Sequence, residues 1–371
     1  MTADAGSARI APTLSVVVPT YRESANVPEL FARMKVALGG LPWEMIVVDD
    51  NSPDGTYDVA FAIAAKDPRM RCIRRVNRSG LAGAVIEGWL SSSADFVAVI
   101  DGDLQHDETI LPQMYAALAS GEASLAIGTR TSSGGGLSGA RQKLSGLGAW
   151  FFRRVAGAPV NDPMSGFFMI RRDIVETLAP RLATDGFKIL VDVILSAGGT
   201  LRIVEVPYSF RSRAAGESKL SALVGLDFLG LVVHHASGGL LPIRFVLFAL
   251  VGAVGLGVHI VTLAAFRFSA GGAEFGEGQF LATLVAMASN FLLNNEITYR
   301  RYRFRGLAKV WGFIAFAIGC SVGVLANIDI ASSLYRSHQR WWIAGLAGAL
   351  LSVAWNYAVS TNLIWRPGRR S

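Results

Sequence analysis

Cysteine is almost absent from this sequence: only Cys72 and Cys320 occur among 371 residues, far apart in the chain. Two distant thiols exclude a disulfide framework and a cysteine-based metal site, so we expect both thiols to be free and buried. Charged residues are also scarce, at 17% against 51% hydrophobic residues, which argues against an ordinary soluble enzyme. Residues 1–13 lack the apolar stretch of a signal peptide, so we expect no cleaved leader and a cytosolic first domain.

The balance of charge is basic, with a formal net charge of +7 and a sequence pI of about 9.6. Basic proteins bind nucleic acid, anionic lipid or phosphorylated substrates. A mean hydropathy of +0.40 favours lipid and phosphorylated substrates over nucleic acid. We therefore expect the lipid bilayer and a phosphate-bearing substrate as partners, and no nucleic acid.

Residues 14–128 alternate between short apolar runs and amphipathic segments. Strands are predicted at 14–18, 44–50, 70–75, 96–100 and 124–128, and helices near 27–38, 80–92 and 109–119. This alternation predicts an α/β domain with a mostly parallel sheet that is covered by helices on both faces.

An acidic loop, DGDLQHDE, follows the strand predicted at 96–100 and occupies residues 101–108. In open α/β sheets, ligands bind at the carboxyl ends of the strands. Asp101, Asp103 and Gln105 supply hard oxygen ligands that suit Mg²⁺ or Mn²⁺ holding a diphosphate. The alternative is a solvated acidic turn. His106 and Asp107 could form an acid–base pair, but we favour a role for His106 in orienting the loop.

The segment 131–139, TSSGGGLSG, is rich in glycine and serine. It lies between predicted core elements rather than between domains. We therefore interpret it as a lid over the site rather than as a linker.

The composition changes after residue 220. Residues 221–235 predict a short apolar helix lying along the bilayer surface. Four longer apolar segments, at 243–265, 279–298, 309–331 and 341–363, each have about the 20 residues that cross a bilayer. We therefore expect three parts: a catalytic domain at 1–220, a juxtamembrane helix at 221–241, and a four-span α-helical domain at 242–371.

Basic residues predict the orientation of these spans. The link between the second and third segments carries arginine at positions 300, 301, 303 and 305, and the tail carries arginine at 366, 369 and 370. The positive-inside rule then places this link, the C-terminus and the catalytic domain in the cytoplasm, in a multi-pass inner-membrane protein. Asn290, Asn294, Asn295 and Glu296 lie at membrane depth, where polar residues are either functional or bonded between helices.

Several motifs occur in an order that resembles one family. They are VVVPTYRE (16–23), VVDDNSPDGT (47–56), DGDLQHDE (101–108), GTR (128–130), DPMSGFFMIRR (162–172), GFKIL (186–190) and GESKL (216–220). Together they resemble family 2 glycosyltransferases of the dolichyl (polyprenyl) phosphate mannose synthase type. Residues after about 220 resemble the GtrA-like four-span membrane domain that is attached to some of these synthases.

The resemblance implies a GT-A fold, Rossmann-like, and inverting transfer of mannose from GDP-mannose to polyprenyl phosphate with Mg²⁺ or Mn²⁺. It implies nucleotide binding by Pro19, Thr20, Tyr21, Glu23, Asp50 and Asp101, and metal binding by Asp101, Asp103 and Gln105. It implies acceptor-phosphate binding by Arg130, Arg141, Ser145, Arg213 and Lys219, with Asp103, Arg130 and Arg213 as the catalytic residues. The sequence departs from the family pattern at Gly102, Asp192 and Ala215.

Elementary chemistry agrees with this resemblance. A lipid phosphate is an anionic nucleophile near neutral pH, because a phosphomonoester has a second pKa of about 6. Its acceptor site needs positioning cations rather than a strong base, and arginine binds phosphate through two N–H groups. Three alternatives stay open: a UDP-hexose as donor, a lipid-linked sugar translocator, and a sensor that binds a sugar nucleotide without turnover.

Overall fold

The computed structural model describes residues 11–78, 80–130, 160–183, 188–211, 222–269, 275–336 and 341–366. The chain divides into two compact units, Met1–Phe228 and Leu229–Ser371. The lid predicted at 131–139 lies outside the described residues.

A seven-stranded sheet forms the centre of the first unit. Its strands are β1 Leu14–Thr20, β2 Trp43–Asp49, β3 Met70–Arg74, β4 Phe96–Val99, β5 Leu125–Arg130, β6 Phe168–Arg171 and β7 Ile203–Tyr208. They lie in the order β3-β2-β1-β4-β6-β5-β7. Among the described strands, β6 alone runs antiparallel to its neighbours, β4 and β5. The mostly parallel sheet predicted from the sequence is therefore confirmed.

Six helices flank the described part of this sheet: α1 Val27–Ala37, α2 Thr56–Ala64, α3 Leu81–Leu90, α4 Leu111–Ala119, α5 Arg172–Leu178 and α6 Ile189–Ser196. Short 3-10 turns lie at Glu108–Ile110 and Ala179–Arg181. The central strands are buried on both faces, since every residue of β2 is buried, as is every residue of β1 except the half-buried Pro19. This double burial explains why these strands have continuous apolar sequences rather than alternating ones.

The parallel strands bring their carboxyl ends to one edge of the sheet. Thr20, Asp49 and Arg130 end β1, β2 and β5, and Ile100 and Asp101 follow directly after β4. The antiparallel β6 begins at the same edge, so the DPMSGF segment, residues 162–167, lies there as well. The fold thus gathers the motif residues at these strand ends along a single edge.

The second unit is helical. It contains the latter part of α7 Ala222–Ala236, followed by α8 Ile243–Ser269, α9 Phe275–Leu293, α10 Ala308–Arg336 and α11 Trp341–Val359. Helix α7 matches the segment that the sequence predicted at 221–235. Within the unit, α8 packs on α9 and α10 packs on α11, so these four helices form two hairpins. An aromatic cluster of Phe248, Phe291, Tyr299, Phe316 and Trp365 fills the space where the hairpins meet.

Within the described residues, one helix is long and apolar enough to cross a membrane, Ile243–Phe266, with a hydropathy of 2.3. A shorter apolar helical stretch occupies Ala308–Gly323. Helices α9, α10 and α11 coincide with the other three predicted segments. The number of spans therefore remains a prediction.

Candidate active site

The β1 and β2 ends are joined by a network around Asp49, which is fully buried. Its carboxylate accepts hydrogen bonds from the Thr20 hydroxyl at 3.0 Å and from the Ser52 amide at 2.8 Å. The Ser52 hydroxyl in turn accepts a hydrogen bond from the Arg22 amide at 3.0 Å. Arg22 has φ +65°, a strained conformation for a residue with a side chain. The network therefore fixes the backbone that carries the predicted nucleotide residues Pro19, Thr20 and Tyr21.

Tyr21 and Glu23 differ in how far the protein engages their side chains. Tyr21 is 57% exposed just after the end of β1, and the Arg22 guanidinium lies 5.6 Å from the centre of its ring. Glu23 accepts a hydrogen bond from the Asn26 amide group at 2.6 Å and begins the turn into α1. Tyr21 thus offers an aromatic surface to a ligand, whereas Glu23 holds the turn.

Asp50 is fixed by two donors. Arg75 Nη1 donates to one carboxylate oxygen at 2.5 Å, and the Gly80 amide donates to the other at 2.6 Å. The Asp50 and Arg75 side chains are only 12% and 6% exposed. Both oxygens keep lone pairs beyond these bonds, so Asp50 can still accept a hydrogen bond from a nucleotide while its position is set by Arg75.

A hydrogen-bonded chain links Asp101 to the core. His106 Nε2 lies 3.2 Å from Asp101 Oδ2, and His106 Nδ1 lies 2.5 Å from the Tyr208 hydroxyl. An ionised carboxylate only accepts, so Nε2 donates to Asp101, and in the neutral ring Nδ1 then accepts from Tyr208. Burial, opposed in part by Arg130, raises the pKa of Tyr208, which keeps its hydroxyl protonated as this donor. His106 is buried between Phe167 and Phe210, which matches the predicted orienting role.

Gly166 of the DPMSGF segment lies directly against Asp101. A Cβ at this position would lie 2.7 Å from Asp101 Oδ2, which is closer than carbon and oxygen pack, and would make a tight contact of 3.3 Å with Oδ1. The buried Ser165 hydroxyl fixes this segment by donating to the Gly128 carbonyl at 2.7 Å. The Asp101 carboxylate can therefore occupy this position only because residue 166 has no side chain.

Asp103 and Gln105 lie in the same loop, which Arg211 holds in place. Asp103 Oδ1 accepts a hydrogen bond from the backbone N–H of Gln105 at 3.2 Å, while the side-chain Nε2 of Gln105 donates to the Arg211 carbonyl at 3.4 Å. The Arg211 guanidinium donates to Glu108 at 2.7 Å and to Asp107 at 2.9 Å. Hydrogen bonds to Glu108, the largest cause, and the nearby acidic charges raise the pKa of Arg211. The loop thus has a fixed shape although its acids repel one another.

Arg130 at the end of β5 forms a two-pronged pair with Asp162. Its Nε and Nη2 donate to the two carboxylate oxygens at 2.8 Å and 3.0 Å, and its guanidinium lies 5.6 Å from the centre of the Phe210 ring. These hydrogen bonds raise the pKa of Arg130, which stays a cation. The two hydrogen bonds to Asp162 use two of the five N–H groups of Arg130. The Arg130 side chain is 40% exposed at the edge of the sheet.

The structure therefore brings together most of the residues predicted from the sequence, at one edge of the sheet: Pro19, Thr20, Tyr21, Glu23, Asp50, Asp101, Asp103, Gln105 and Arg130. The remaining predicted site residues, Arg141, Ser145, Arg213 and Lys219, lie outside the described residues. Sequence reasoning missed the groups that position the site, namely Arg75, Asp162, Gly166, Tyr208 and Arg211. Asp162 and Gly166 stand in a motif that was noticed, but nothing in the sequence assigns them their partners.

Metal binding at this edge would rest on two carboxylates and one amide oxygen. In the described part of the chain, no three histidine, cysteine, aspartate or glutamate side chains converge as a metal site. The carboxylates of Asp101 and Asp103 and the Gln105 Oε1 are the hard donors available in the loop. Such a set suits Mg²⁺ or Mn²⁺, which usually complete their coordination with substrate phosphates and water.

Two family models match the chain. Residues 15–179 match the family described as glycosyl transferase family 2, and residues 247–365 match the GtrA/DPMS transmembrane domain. The described fold is similar to the crystal structure of glucosyl-3-phosphoglycerate synthase from Mycobacterium tuberculosis in complex with Mn²⁺, UDP and glucosyl-3-phosphoglycerate. That likeness has a TM-score of 0.50 and 20% identity, and covers 61% of this chain and 80% of the other. It confirms the expected GT-A-like fold.

Curated relatives extend the likeness along the chain. The dolichol-phosphate mannosyltransferase of Pyrococcus furiosus is 33% identical over 361 residues, which cover 95% of this chain and 99% of that protein. The undecaprenyl-phosphate mannosyltransferase of Micrococcus luteus is 33% identical over 213 residues, covering 55% of this chain and 86% of its own length. Similarity at this level, over nearly the whole of both proteins in the first case, identifies the family. The chain belongs to the family 2 glycosyltransferases of the dolichol-phosphate mannosyltransferase type, with an attached GtrA/DPMS transmembrane domain.

Proposed function

We propose that this enzyme transfers mannose from GDP-mannose to a polyprenyl phosphate at the cytoplasmic face of the membrane. The observation that carries the proposal is the meeting of an acidic loop, 101–108, and a cation, Arg130, at one edge of the sheet. The acids suit the diphosphate of a sugar nucleotide through a divalent cation, and the arginine suits the phosphate of the acceptor. Relatives named for polyprenyl-phosphate mannose synthesis support this choice.

Asp101, Asp103 and Gln105 would hold the divalent cation. Their donors fit because Gln105 uses its Nε2 on Arg211, which leaves Oε1 as an acceptor, and because His106 fixes the Asp101 carboxylate. The bound cation would neutralise the charge that develops on the leaving diphosphate. Thr20, Tyr21 and Asp50 would bind the nucleoside, with the exposed Tyr21 ring as its stacking surface.

The reaction itself needs little proton transfer. An oxygen of the lipid phosphate attacks C1 of mannose, and the bond from C1 to the GDP oxygen breaks with its electron pair leaving on GDP. Because the acceptor is already ionised, Arg130, together with Arg213, would position it rather than deprotonate it. Attack opposite the leaving group would convert the α-linked donor into a β-linked product.

The membrane orientation is supported by charge within the second unit. The stacked rings of Tyr299 and Trp365, 4.4 Å apart, bring the ends of the two hairpins together. Arg244 lies 5.4 Å from the Tyr302 ring, so basic residues of α8 and of the 299–305 link occupy one end of the helices. By the positive-inside rule this end would be cytoplasmic, as a four-span topology with both ends inside requires.

Asp103→Asn tests the metal assignment. We expect the variant to lose at least about 100-fold in activity, because it removes a charged ligand from the cation that stabilises the leaving group. Its affinity for Mn²⁺, measured from the free-ion signal in electron paramagnetic resonance, should also fall. Asp173→Asn is the matched control, since Asp173 pairs with Arg171 at an exposed position remote in sequence from the loop. Unchanged turnover by Asp103→Asn would contradict the assignment.

A further inference from the structure

The two hairpins of the second unit are related by an internal repeat. Residues recur at a constant spacing in α8 and α10, where Phe245, Phe248 and Gly255 correspond to Phe313, Phe316 and Gly323. In α9 and α11 and the turns after them, Asn290, Tyr299 and Arg300 likewise correspond to Asn356, Trp365 and Arg366. Both of these helices end in a π-helical turn, at Asn294–Thr298 and at the equivalent Ser360–Ile364.

Contacts between the hairpins are reciprocal. Phe291 of the first hairpin packs on Phe313 and Phe316 of the second, with ring centres 5.7 Å and 5.8 Å apart. Its counterpart Tyr357 packs on Phe245 and Phe248, at 5.2 Å and 5.7 Å. Such an exchange of equivalent contacts is the signature of a two-fold axis. The hairpins are therefore arranged about a pseudo-two-fold axis.

Each hairpin also contains an equivalent asparagine packed on glycine. A Cβ at Gly255 would overlap the Asn290 amide group, and a Cβ at Gly323 would overlap the Asn356 amide group. Within the described residues, the Oδ1 atoms of both asparagines are buried and accept no hydrogen bond. Two neighbouring asparagines differ from them, since Thr298 donates to the Asn294 side chain at 2.8 Å and the Phe304 backbone amide donates to Asn295 Oδ1 at 2.8 Å.

A cavity of about 280 Å³ lies between the hairpins. Equivalent residues line it in pairs: Gly252 and Cys320, Met287 and Val353, and Asn290 and Asn356. The cavity therefore lies on the pseudo-two-fold axis. Its volume is close to the lower end of the range for small-ligand sites, roughly 300–1,000 Å³.

The lining determines which ligand chemistry fits. Among the described lining residues there is no aspartate, glutamate, lysine or arginine, and His259 adds an imidazole to the amides of Asn290, Asn294 and Asn356. A phosphate or other ion would meet no counter-charge there and would be costly to bury. Amide groups both donate and accept hydrogen bonds, as hydroxyl groups do. The unpaired amide oxygens in particular require a donor.

We propose that this cavity binds the uncharged, hydroxyl-bearing part of a lipid head group, held by Asn290 and Asn356, while the phosphate of the lipid stays outside the cavity. That part could be the hexose of a polyprenyl-phosphate hexose or the terminal glycerol of phosphatidylglycerol. In both, hydroxyl groups donate to the Asn290 and Asn356 oxygens. The site is distinct from the edge of the sheet and does not depend on the reaction proposed there.

Cys320 in the cavity wall provides the test. In a Cys72→Ser background it is the only thiol, and its reaction with a small uncharged methanethiosulfonate can be followed by intact-protein mass spectrometry. The full-length protein is placed in phosphatidylcholine nanodiscs that contain polyprenyl-phosphate mannose, phosphatidylglycerol or polyprenyl phosphate. At ten times its dissociation constant a ligand leaves about one site in eleven empty, so labelling should slow about tenfold.

We expect slower labelling with the mannolipid, with phosphatidylglycerol or with both, and the pattern identifies the source of the head group. Polyprenyl phosphate, which lacks hydroxyl groups on carbon, should give no protection. Asn290→Leu and Asn356→Leu should each abolish the protection, whereas Ser321→Ala, at an exposed position next to Cys320, should retain it. Equal protection by polyprenyl phosphate, protection that persists in both leucine variants, or no protection by any lipid would overturn the proposal.

Discussion

Replacing Gly166 by alanine should displace the Asp101 carboxylate and leave the rest of the site unchanged. The added Cβ would lie 2.7 Å from Asp101 Oδ2 and 3.2 Å from its Cγ, so the carboxylate has to move by several tenths of an ångström or more. Asp101 is 36% exposed on its side chain and can swing toward solvent. The free energy of unfolding should therefore change by less than about 1 kcal/mol, below the usual cost of overpacking a core.

Activity should fall far more than stability. The displaced carboxylate loses its 3.2 Å contact with His106 and its place beside Asp103 in the proposed metal site. Misplacement of a reacting group by about 1 Å can cost about 100-fold in rate. We expect Gly166→Ala to lose activity by about this factor and to need more Mn²⁺ for half-maximal activity.

Gly102→Ala is the matched control in the same site. Its Cβ would meet Thr20, Glu23 and Val18 at 3.4–3.5 Å, which is ordinary van der Waals contact. We expect it to keep nearly full activity, so the departure at Gly102 from the family pattern should have little effect. The assay is product formation over a Mn²⁺ titration for both variants, with thermal unfolding measured in parallel. Full activity in Gly166→Ala, at an unchanged Mn²⁺ requirement, would refute the placement of Asp101 in the metal site.

Three further predictions concern the surroundings of the site. Arg75→Met should leave the buried Asp50 carboxylate without its counter-charge and lower the free energy of unfolding by about 3 kcal/mol. Arg171→Met, in an exposed pair, should cost less than about 1 kcal/mol, and chemical denaturation of the two full-length variants distinguishes them. Arg130→Lys keeps the charge but loses the two-pronged geometry. The KM for the lipid acceptor should therefore rise about tenfold while the KM for the donor stays constant. Equal changes in the two KM values would be inconsistent with an acceptor role for Arg130. Burial opposes ionisation of Asp54, but hydrogen bonds from Thr56 and Ser24 outweigh it and lower its pKa from 3.8 to about 2. The stabilisation from this ionised carboxylate is present above pH 4 and lost as the pH falls through 2, so the advantage of the wild type over Asp54→Asn should disappear over that interval in pH-dependent unfolding.

The sequence was sufficient to find residues at the ends of strands. Asp50, Asp101 and Arg130 each directly follow or end an apolar run, and parallel strands necessarily bring such positions to one edge. Composition and segment length were likewise sufficient to separate the α/β domain from the apolar part of the chain. These features are local in sequence, or repeat at a known period.

The partners of these residues were beyond sequence reasoning because they are distant in the chain. Tyr208 bonds to His106, and Arg211 pairs with Asp107 and Glu108, only because β7 ends beside the loop that follows β4. The insertion of antiparallel β6 between β4 and β5 was also not predicted, although it places Gly166 against Asp101. Such contacts depend on the order of strands in the sheet, which periodicity does not encode.

The central claim concerns donor and acceptor, and one assay addresses both. The purified full-length protein in detergent receives Mn²⁺, a short polyprenyl phosphate, and either radiolabelled GDP-mannose or radiolabelled UDP-glucose, and the label that enters the organic phase is counted. We expect label from GDP-mannose alone, and none when polyprenyl phosphate is omitted. Label from UDP-glucose alone would contradict the proposed donor while keeping the reaction class. No label from either donor, with nucleotide binding intact, would contradict the assignment of this protein as a polyprenyl-phosphate mannosyltransferase.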